Sequence, residues 1–204
     1  MIYWIGGSSC SGKSTLAKML ADKHSLQYYS CDDHFYKHVQ FISPKKHPAM
    51  KKAAEMNPNE AFYSRCLEDQ LRVYIQSFQE DFSFVLQDLQ KINKPVIVEG
   101  NQLMPSLAAP YVKENHKAIW LIPTEAFQRK YYQKRDWIKA VLKDTEDPEI
   151  AFNNWMKRDA LFAKLVNEEA MSLGLKVLQV DGSSNLEENF IKIERFFELE
   201  NSQI

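Results

Sequence analysis

Cysteine is scarce in this sequence of 204 residues, and its three cysteines are scattered. Cys10, Cys31 and Cys66 form no CxxC pair, and no Cys/His cluster has the spacing of a zinc site. These absences argue against a secreted domain held together by disulfides. We therefore expect the protein to work in the cytoplasm, where thiols stay reduced.

Long apolar runs and an excess of charge of either sign are missing as well. No stretch approaches the length of a membrane span, and the first residues lack the basic lead and apolar run of a signal peptide. The chain has 26 basic and 27 acidic residues, which gives a net charge of −1. We therefore expect neither a membrane nor a nucleic acid as partner, because broad capture of either needs a basic surface.

Glycine is rare too, but its distribution is informative. Three of the six glycines, Gly6, Gly7 and Gly12, fall within seven residues near the N-terminus. A chain that concentrates half of its glycine in one loop needs unusual backbone geometry there. The remaining composition, with 45% hydrophobic residues, is that of an ordinary globular protein, and the length favours a single domain over 1–204.

Apolar runs alternate with helical patterns along the chain, which predicts an α/β fold with a parallel sheet and helices on both faces. The region 37–58 contains prolines and lysines and is expected to be an irregular basic loop, within a substrate-side loop over 34–60. The next region, 59–92, is predicted to be a long helix interrupted near Asp81. The predicted strands are 1–5, 26–30, 95–101, 117–123 and 175–182, and the other predicted helices are 11–24, 124–143, 148–173 and 185–199.

A phosphate-binding pattern lies between the first strand and the first helix. The segment from Gly7 to Ser14 fits G-x-x-x-x-G-K-[ST], whose backbone N–H groups and helix N-terminus attract anions. The pattern predicts that Lys13 reaches the β- and γ-phosphates of a nucleotide and that Ser14 binds Mg²⁺. The predicted nucleotide-binding residues are Gly7, Ser8, Ser9, Cys10, Ser11, Gly12, Lys13, Ser14 and Thr15.

This segment, GGSSCSGKST, resembles the phosphate loop of the P-loop small-molecule kinases, which include nucleoside, nucleoside-monophosphate and shikimate kinases. The resemblance implies a three-layer P-loop fold with five parallel strands in the order 2-3-1-4-5. It also implies ATP and Mg²⁺ as cofactors, a small-molecule substrate and a helical lid, here over 124–160.

Two adjacent carboxylates, Asp32 and Asp33, follow the second predicted strand. The carboxyl ends of parallel strands face the ligand crevice, where a carboxylate can take the proton of an attacking hydroxyl. The run from Asp33 to Lys37 resembles the D-x-F-Y-K segment of uridine kinase-like enzymes, whose Asp is the catalytic base, whereas Ser30-x-Asp32 resembles the S-x-D before it. Both residues stay candidates, with a helix cap or a solvent-facing pair as the alternative. In extended chain they are expected to point to opposite sides.

Glu99 ends the third predicted strand, just before Gly100. A carboxylate there, near the phosphate loop, is suited to a Mg²⁺-bound water or to a polar group of the substrate. The segment VIVEG resembles the strand-end E-G of uridine kinase-like enzymes. Ser14, Asp32 and Glu99 are therefore the predicted metal-site residues, and the alternative for Glu99 is a surface position after a core strand.

Two basic islands stand out in a neutral chain. The first, Lys45, Lys46, Lys51 and Lys52, either attracts an anionic substrate or keeps an exposed loop soluble. The second, Arg129, Lys130, Lys134 and Arg135, either belongs to a lid over the phosphates or forms a solvated helix face. In the family, arginines after the fourth strand neutralise the charge of the transferred phosphoryl group. The resemblance therefore makes Arg129, Arg135 and Arg158 candidate catalytic residues.

The leading hypothesis is an ATP-dependent kinase that phosphorylates a hydroxyl of a small metabolite or nucleoside. One alternative is a nucleoside-monophosphate kinase, whose acceptor is a phosphate, and another is a non-catalytic nucleotide-binding module. The acceptor and the oligomeric state are left open by the sequence.

Overall fold

A computed structural model describes residues 1–200 and contains one sheet of five parallel strands. Their order is β2-β3-β1-β4-β5, so the predicted order 2-3-1-4-5 is confirmed. The central strand β1 pairs with β3 on one side and with β4 on the other. The strands are β1 (Ile2–Gly7), β2 (Gln27–Ser30), β3 (Val96–Glu99), β4 (Ala118–Pro123) and β5 (Lys176–Val180).

Helices cover both faces of the sheet, and α5 and α9 are the longest. The helices are α1 (Lys13–Lys23), α2 (Cys31–Val39), α3 (Pro48–Glu55), α4 (Pro58–Phe62), α5 (Leu67–Gln90), α6 (Pro105–Ala108), α7 (Glu125–Tyr132), α8 (Asp136–Leu142), α9 (Pro148–Ser172) and α10 (Leu186–Phe196). Two 3-10 turns, Ala109–Tyr111 and Asn115–Lys117, precede β4. None of the helices within residues 1–200 is long and apolar enough to cross a membrane.

The alternation of side chains along the strands builds two apolar cores. Trp4 and Trp120 lie on one face with Phe162 of α9, whereas Ile5 and Ile119 lie on the other face with side chains of α1 and α10. Successive side chains of a strand point to opposite faces, so a continuous apolar strand serves both cores. This construction fixes the carboxyl ends of β1, β2 and β3 next to one another.

The predicted irregular loop over 37–58 is wrong in part, because residues 48–55 form the helix α3. Pro48 takes the first helical position, and the Glu80 carboxylate accepts hydrogen bonds from the backbone N–H groups of Ala49 and Met50, at 3.1 and 2.8 Å. These N–H groups have no partner inside their own helix, so a carboxylate from α5 completes the helix start.

The predicted interruption of the next helix near Asp81 is wrong as well. The helix α5 runs through Asp81 without a break, and the chain instead breaks at 63–66, between α4 and α5. Asp81 is tolerated there because its side chain is buried against a partner on α2.

That partner is His38, which fastens α2 to α5. Its Nδ1 lies 2.6 Å from Asp81 Oδ1, and its Nε2 lies 3.1 Å from Asp88 Oδ2. Two carboxylate partners require two N–H donors, which only the imidazolium supplies. Burial alone would lower the pKa of His38, but the hydrogen bonds to Asp81 and Asp88 outweigh it and raise that pKa.

We expect His38→Gln to destabilise the protein by an amount that shrinks as the pH rises. A raised pKa in the folded state means that the stabilisation is complete below about pH 6.5 and is lost as the pH rises through the folded-state pKa. Urea unfolding of both proteins between about pH 6 and about pH 9 measures the difference in the free energy of unfolding. His38→Ala, which leaves Asp81 buried without a partner, should cost about 3–5 kcal/mol at the lower pH.

His116→Gln is the matched control, since this half-buried His lies 3.6 and 3.7 Å from two exposed carboxylates. Its effect should stay within about 1 kcal/mol, as for other surface ion pairs. A difference between wild type and His38→Gln that does not change with pH would contradict the charged state of His38.

Candidate active site

The phosphate loop bends in the way that its glycines allow. Gly7 has a φ of 130°, and a Cβ there would lie 2.1 Å from the carbonyl oxygen of Leu121. Gly12 has a φ of 85° and caps the N-terminus of α1 in the left-handed conformation. Neither position accepts a larger residue without strain.

Hydrogen bonds from the side chains of Ser11, Lys13 and Gln128 brace this loop. The Ser11 hydroxyl donates to the carbonyl of Ser8 at 2.8 Å, and the Lys13 ammonium donates to the same carbonyl at 2.9 Å. Gln128 of α7 donates to the Ser9 carbonyl at 2.9 Å and to the Ser8 hydroxyl at 3.2 Å. These bonds tie the loop to itself and to α7. Gln128 carries no sequence motif and was missed by the sequence analysis.

Lys13 is buried, with 7% of its surface exposed. Burial lowers the pKa of Lys13, and the Glu99 and Asp32 carboxylates oppose that effect. An ammonium in this place is a buried positive charge at the carboxyl ends of the strands.

Glu99 is the negative counterpart, with 1% of its surface exposed. Burial raises the pKa of Glu99, and Lys13 opposes the rise. The alternative of a surface Glu99 is thereby excluded. One carboxylate oxygen accepts a hydrogen bond from the Tyr28 hydroxyl at 2.9 Å, and Ser14, like Lys13, opposes the rise in the Glu99 pKa. The other oxygen, Oε2, is buried and has no hydrogen-bond partner within residues 1–200.

The sequence analysis expected Asp32 and Asp33 to lie in extended chain, but the structure places both in a helix. Helix α2 begins at Cys31, and both residues belong to its first turn, where the Ser30 hydroxyl accepts from the Asp33 N–H at 3.3 Å. Acidic residues are favourable at this end of a helix. Asp32 lies near Lys13 and Glu99 and receives a hydrogen bond from Gln102 at 3.4 Å.

A cleft of about 440 Å³ opens beside the phosphate loop. Asp32 lines it, whereas Asp33 is absent from its lining. Its walls come from the phosphate loop, from helices α2 to α5, from the turn after β3, and from α7 to α9. The lining residues are Ser9, Asp32, Phe35, Tyr36, Ala53, Met56, Ala61, Phe62, Arg65, Gln70, Val73, Tyr74, Ser77, Phe78, Asn101, Gln102, Tyr132, Arg135, Trp137, Trp155 and Arg158.

The three candidate arginines have different surroundings. Arg158 is buried, donates to Asp159 Oδ1 from Nε at 2.9 Å and from Nη2 at 2.7 Å, and stacks 4.0 Å above the Tyr74 ring centroid. Arg135 is exposed, lines the cleft and acts on the pKa of Lys13. Arg129 instead donates to Asn153 at 2.8 Å and is absent from the cleft lining. The structure therefore brings Arg135 and Arg158 to the cleft and leaves Arg129 outside it.

The lysines of the first basic island stay away from the cleft. Lys51 lies 3.9 Å from Glu55, and Lys52 lies 3.6 Å from Asp69. None of the island's four lysines lines the cleft.

Several polar cleft residues were missed by the sequence analysis. The Asn101 amide donates to the Tyr74 hydroxyl at 2.9 Å and to the Ser9 hydroxyl at 3.2 Å, which joins α5 to the phosphate loop. Two polar residues directly after Gly100 were a usable signal, since the carboxyl ends of strands face the crevice. Within residues 1–200 no group of three or more His, Cys, Asp or Glu side chains is arranged to hold a metal ion.

No protein-family model and no curated protein matches the chain. Solved structures do. The shikimate kinase from Aquifex aeolicus is 18% identical, with a TM-score of 0.51, over 97% of this chain and 96% of that chain. The shikimate kinase from Bacteroides thetaiotaomicron is 12% identical, with a TM-score of 0.54, over 98% and 97%. A Thermus thermophilus protein is 13% identical, with a TM-score of 0.55, over 99% and 98%. The chain therefore has the three-layer α/β fold seen in shikimate kinases and related P-loop small-molecule kinases.

Proposed function

We propose that the protein is a kinase that transfers the γ-phosphoryl group of ATP to a hydroxyl of a small molecule. The observation that carries this proposal is the meeting of three features at one sheet edge. A braced phosphate loop with a buried Lys13 and a buried Glu99 lie near the carboxylate of Asp32, which lines the cleft together with Ser9 of the loop.

The donor set near the loop suits a phosphate-bound Mg²⁺. Ser14 and Glu99 would supply oxygen ligands, and the buried, unpartnered Oε2 of Glu99 would bind the ion or accept a hydrogen bond from one of its waters. When bound, Mg²⁺ would neutralise charge on the phosphates. The small number of protein ligands agrees with the way this ion keeps several waters.

The remaining chemistry falls to side chains of the chain itself. We assign Asp32 as the base that accepts the proton of the acceptor hydroxyl. The hydroxyl oxygen then bonds to the γ-phosphorus of ATP while ADP leaves. Lys13 and Arg135 stabilise negative charge on the phosphates. Arg158 positions the side chains of Asp159 and Tyr74, to which it bonds and on which it stacks.

We expect Lys13→Ala to abolish ATP-dependent phosphorylation, with a loss of at least about 100-fold, because it removes the buried ammonium that hydrogen-bonds to the loop. It should also remove the rise in melting temperature that Mg²⁺-ATP gives to the wild type. A ligand that binds the native state alone stabilises it by about 2.7 kcal/mol at 100 times its Kd. Thermal unfolding with and without Mg²⁺-ATP measures this.

Lys18→Ala is the matched control, since Lys18 is an exposed lysine of the same helix. It should keep the ATP-dependent shift. A normal shift and normal turnover in Lys13→Ala would refute the proposed nucleotide site.

Variants of Asp32 and Asp33 test which carboxylate is the catalytic base. Asp32→Asn should lower kcat by about 10²- to 10⁴-fold with little change in ATP affinity, because it removes proton acceptance while keeping the shape. Asp33→Asn, an exposed position one residue along the same helical turn, should leave kcat nearly unchanged. The measurements are kcat with an identified acceptor and the Kd of ATP for each variant.

A larger loss in Asp33→Asn would favour the other alignment, with Asp33 as base. Full kcat in both variants would mean that the base lies elsewhere or that the acceptor is already an anionic phosphate. Recovery of rate in Asp32→Asn at raised Mg²⁺ would point to a lost metal contact instead of a lost base.

A further inference from the structure

One side of the cleft is formed by α3, α4, α5 and the short segment before α5. We call it the helical wall, and it is mainly apolar and aromatic. Its cleft-lining residues are Ala53, Met56, Ala61, Phe62, Arg65, Gln70, Val73, Tyr74, Ser77 and Phe78. An acceptor whose hydroxyl reaches Asp32 and whose remaining atoms extend along this wall meets Phe62, which stacks on Trp155 at 4.0 Å. Aromatic faces favour a flat partner.

Gln70 is a polar residue of this wall whose side-chain oxygen has no hydrogen-bond partner within residues 1–200. It is 2% exposed, and its Nε2 donates to the backbone carbonyl of Arg65 at 2.9 Å. That bond sets the orientation of the amide and leaves Oε1 as an acceptor. Within residues 1–200, Oε1 is buried without any hydrogen-bond partner. A buried acceptor left in this state is costly, and a ligand that donates to it removes the cost.

The positive charges of the helical wall already have partners. Arg65 donates from Nε to Asp69 Oδ2 and from Nη2 to the Asp69 carbonyl, both at 2.6 Å. The hydrogen bond from Arg65 lowers the pKa of Asp69 to about 2, so this carboxylate stays ionised at neutral pH. Lys52 also turns toward Asp69, and the lysine island as a whole lies outside the cleft.

Arg158, whose guanidinium stacks on Tyr74 of the helical wall, is balanced in the same way. Its guanidinium bonds twice to the Asp159 carboxylate, which also accepts from the Tyr132 hydroxyl at 2.6 Å. Arg135 lies instead on the side of Lys13 and the phosphates. A second anion on the acceptor would therefore meet, at the helical wall, only arginines that an aspartate already neutralises, and burying it there is unfavourable.

We propose that the cleft selects an uncharged, flat, hydroxyl-bearing acceptor with an N–H group that donates to Gln70 Oε1. This inference rests on the proposed function and deepens it by naming the substrate class. Gln70 is then a specificity-determining residue, and sugar acids and nucleoside monophosphates are disfavoured as acceptors. A site that hydrogen-bonds a substrate N–H discriminates strongly against an analogue without it, because its own buried group is left unpaired.

The test measures binding directly, through the fluorescence of Trp137 and Trp155, which both line the cleft. The probes are uridine, thymidine and inosine, each with a ring N–H, and their N-methylated counterparts, which keep the shape and lose the donor. The corresponding 5′-monophosphates and gluconate serve as anionic probes. We expect at least one N–H compound to bind, its N-methyl analogue to bind about 10- to 100-fold more weakly, and the anionic probes to bind more weakly than either.

Gln70→Leu should remove the preference for N–H over N-methyl, and Gln70→Met repeats the test with an unbranched side chain should the first variant fold poorly. Gln79→Leu, at an exposed position of the same helix, should keep the preference in full. Tighter binding of an anionic probe, a preference unchanged in both Gln70 variants, or no binding of any neutral probe would overturn the proposal. The Mg²⁺-ATP melting shift, measured on the same samples, reports separately on the nucleotide site, so a failure of that site is recognised independently.

Discussion

A buried pair of opposite charges, Lys13 and Glu99, is the constraint around which the site is arranged. Burial lowers the pKa of Lys13 and raises the pKa of Glu99, and in each case the opposite charge nearby opposes the shift. Each charge stabilises the other at that depth, since a buried ion without a partner costs several kcal/mol. The pair depends on β1 and β3 lying side by side, because their ends bring the start of α1 next to Glu99. The strand order and the chemistry are therefore linked through one electrostatic requirement.

The sheet and the phosphate loop were predictable because their signals are local. A glycine at a positive φ, a lysine after it and an apolar run before it occupy adjacent positions in the chain. The helix α3 was missed because its N-terminus is capped by Glu80 of α5, some thirty residues away in the chain. The helical position of Asp32 and Asp33 was missed because a strand and a helix follow each other without a loop, with Ser30 ending one and capping the other.

The cleft was harder to predict than the loop. Gln70 belongs to a long helix with no motif, and its unpaired oxygen follows from a bond to the Arg65 carbonyl that only the packed turn before α5 creates. The arginines diverge because the helical region after β4 breaks at 133–135, between α7 and α8. Arg129 then stays with Asn153, whereas Arg135 starts the next helix beside the cleft. Such outcomes depend on contacts between distant elements, for which a single sequence has no direct signal.

The cap that Glu80 gives to α3 has a consequence for how the molecule folds. A helix of eight residues is unstable by itself, since nucleation is costly and few backbone bonds follow it. Helix α3 therefore becomes stable only once α5 has formed and delivered the Glu80 carboxylate to its first turn. We therefore expect the two helices to open as one cooperative unit whose amides exchange with solvent together, although a short helix separates them in the chain.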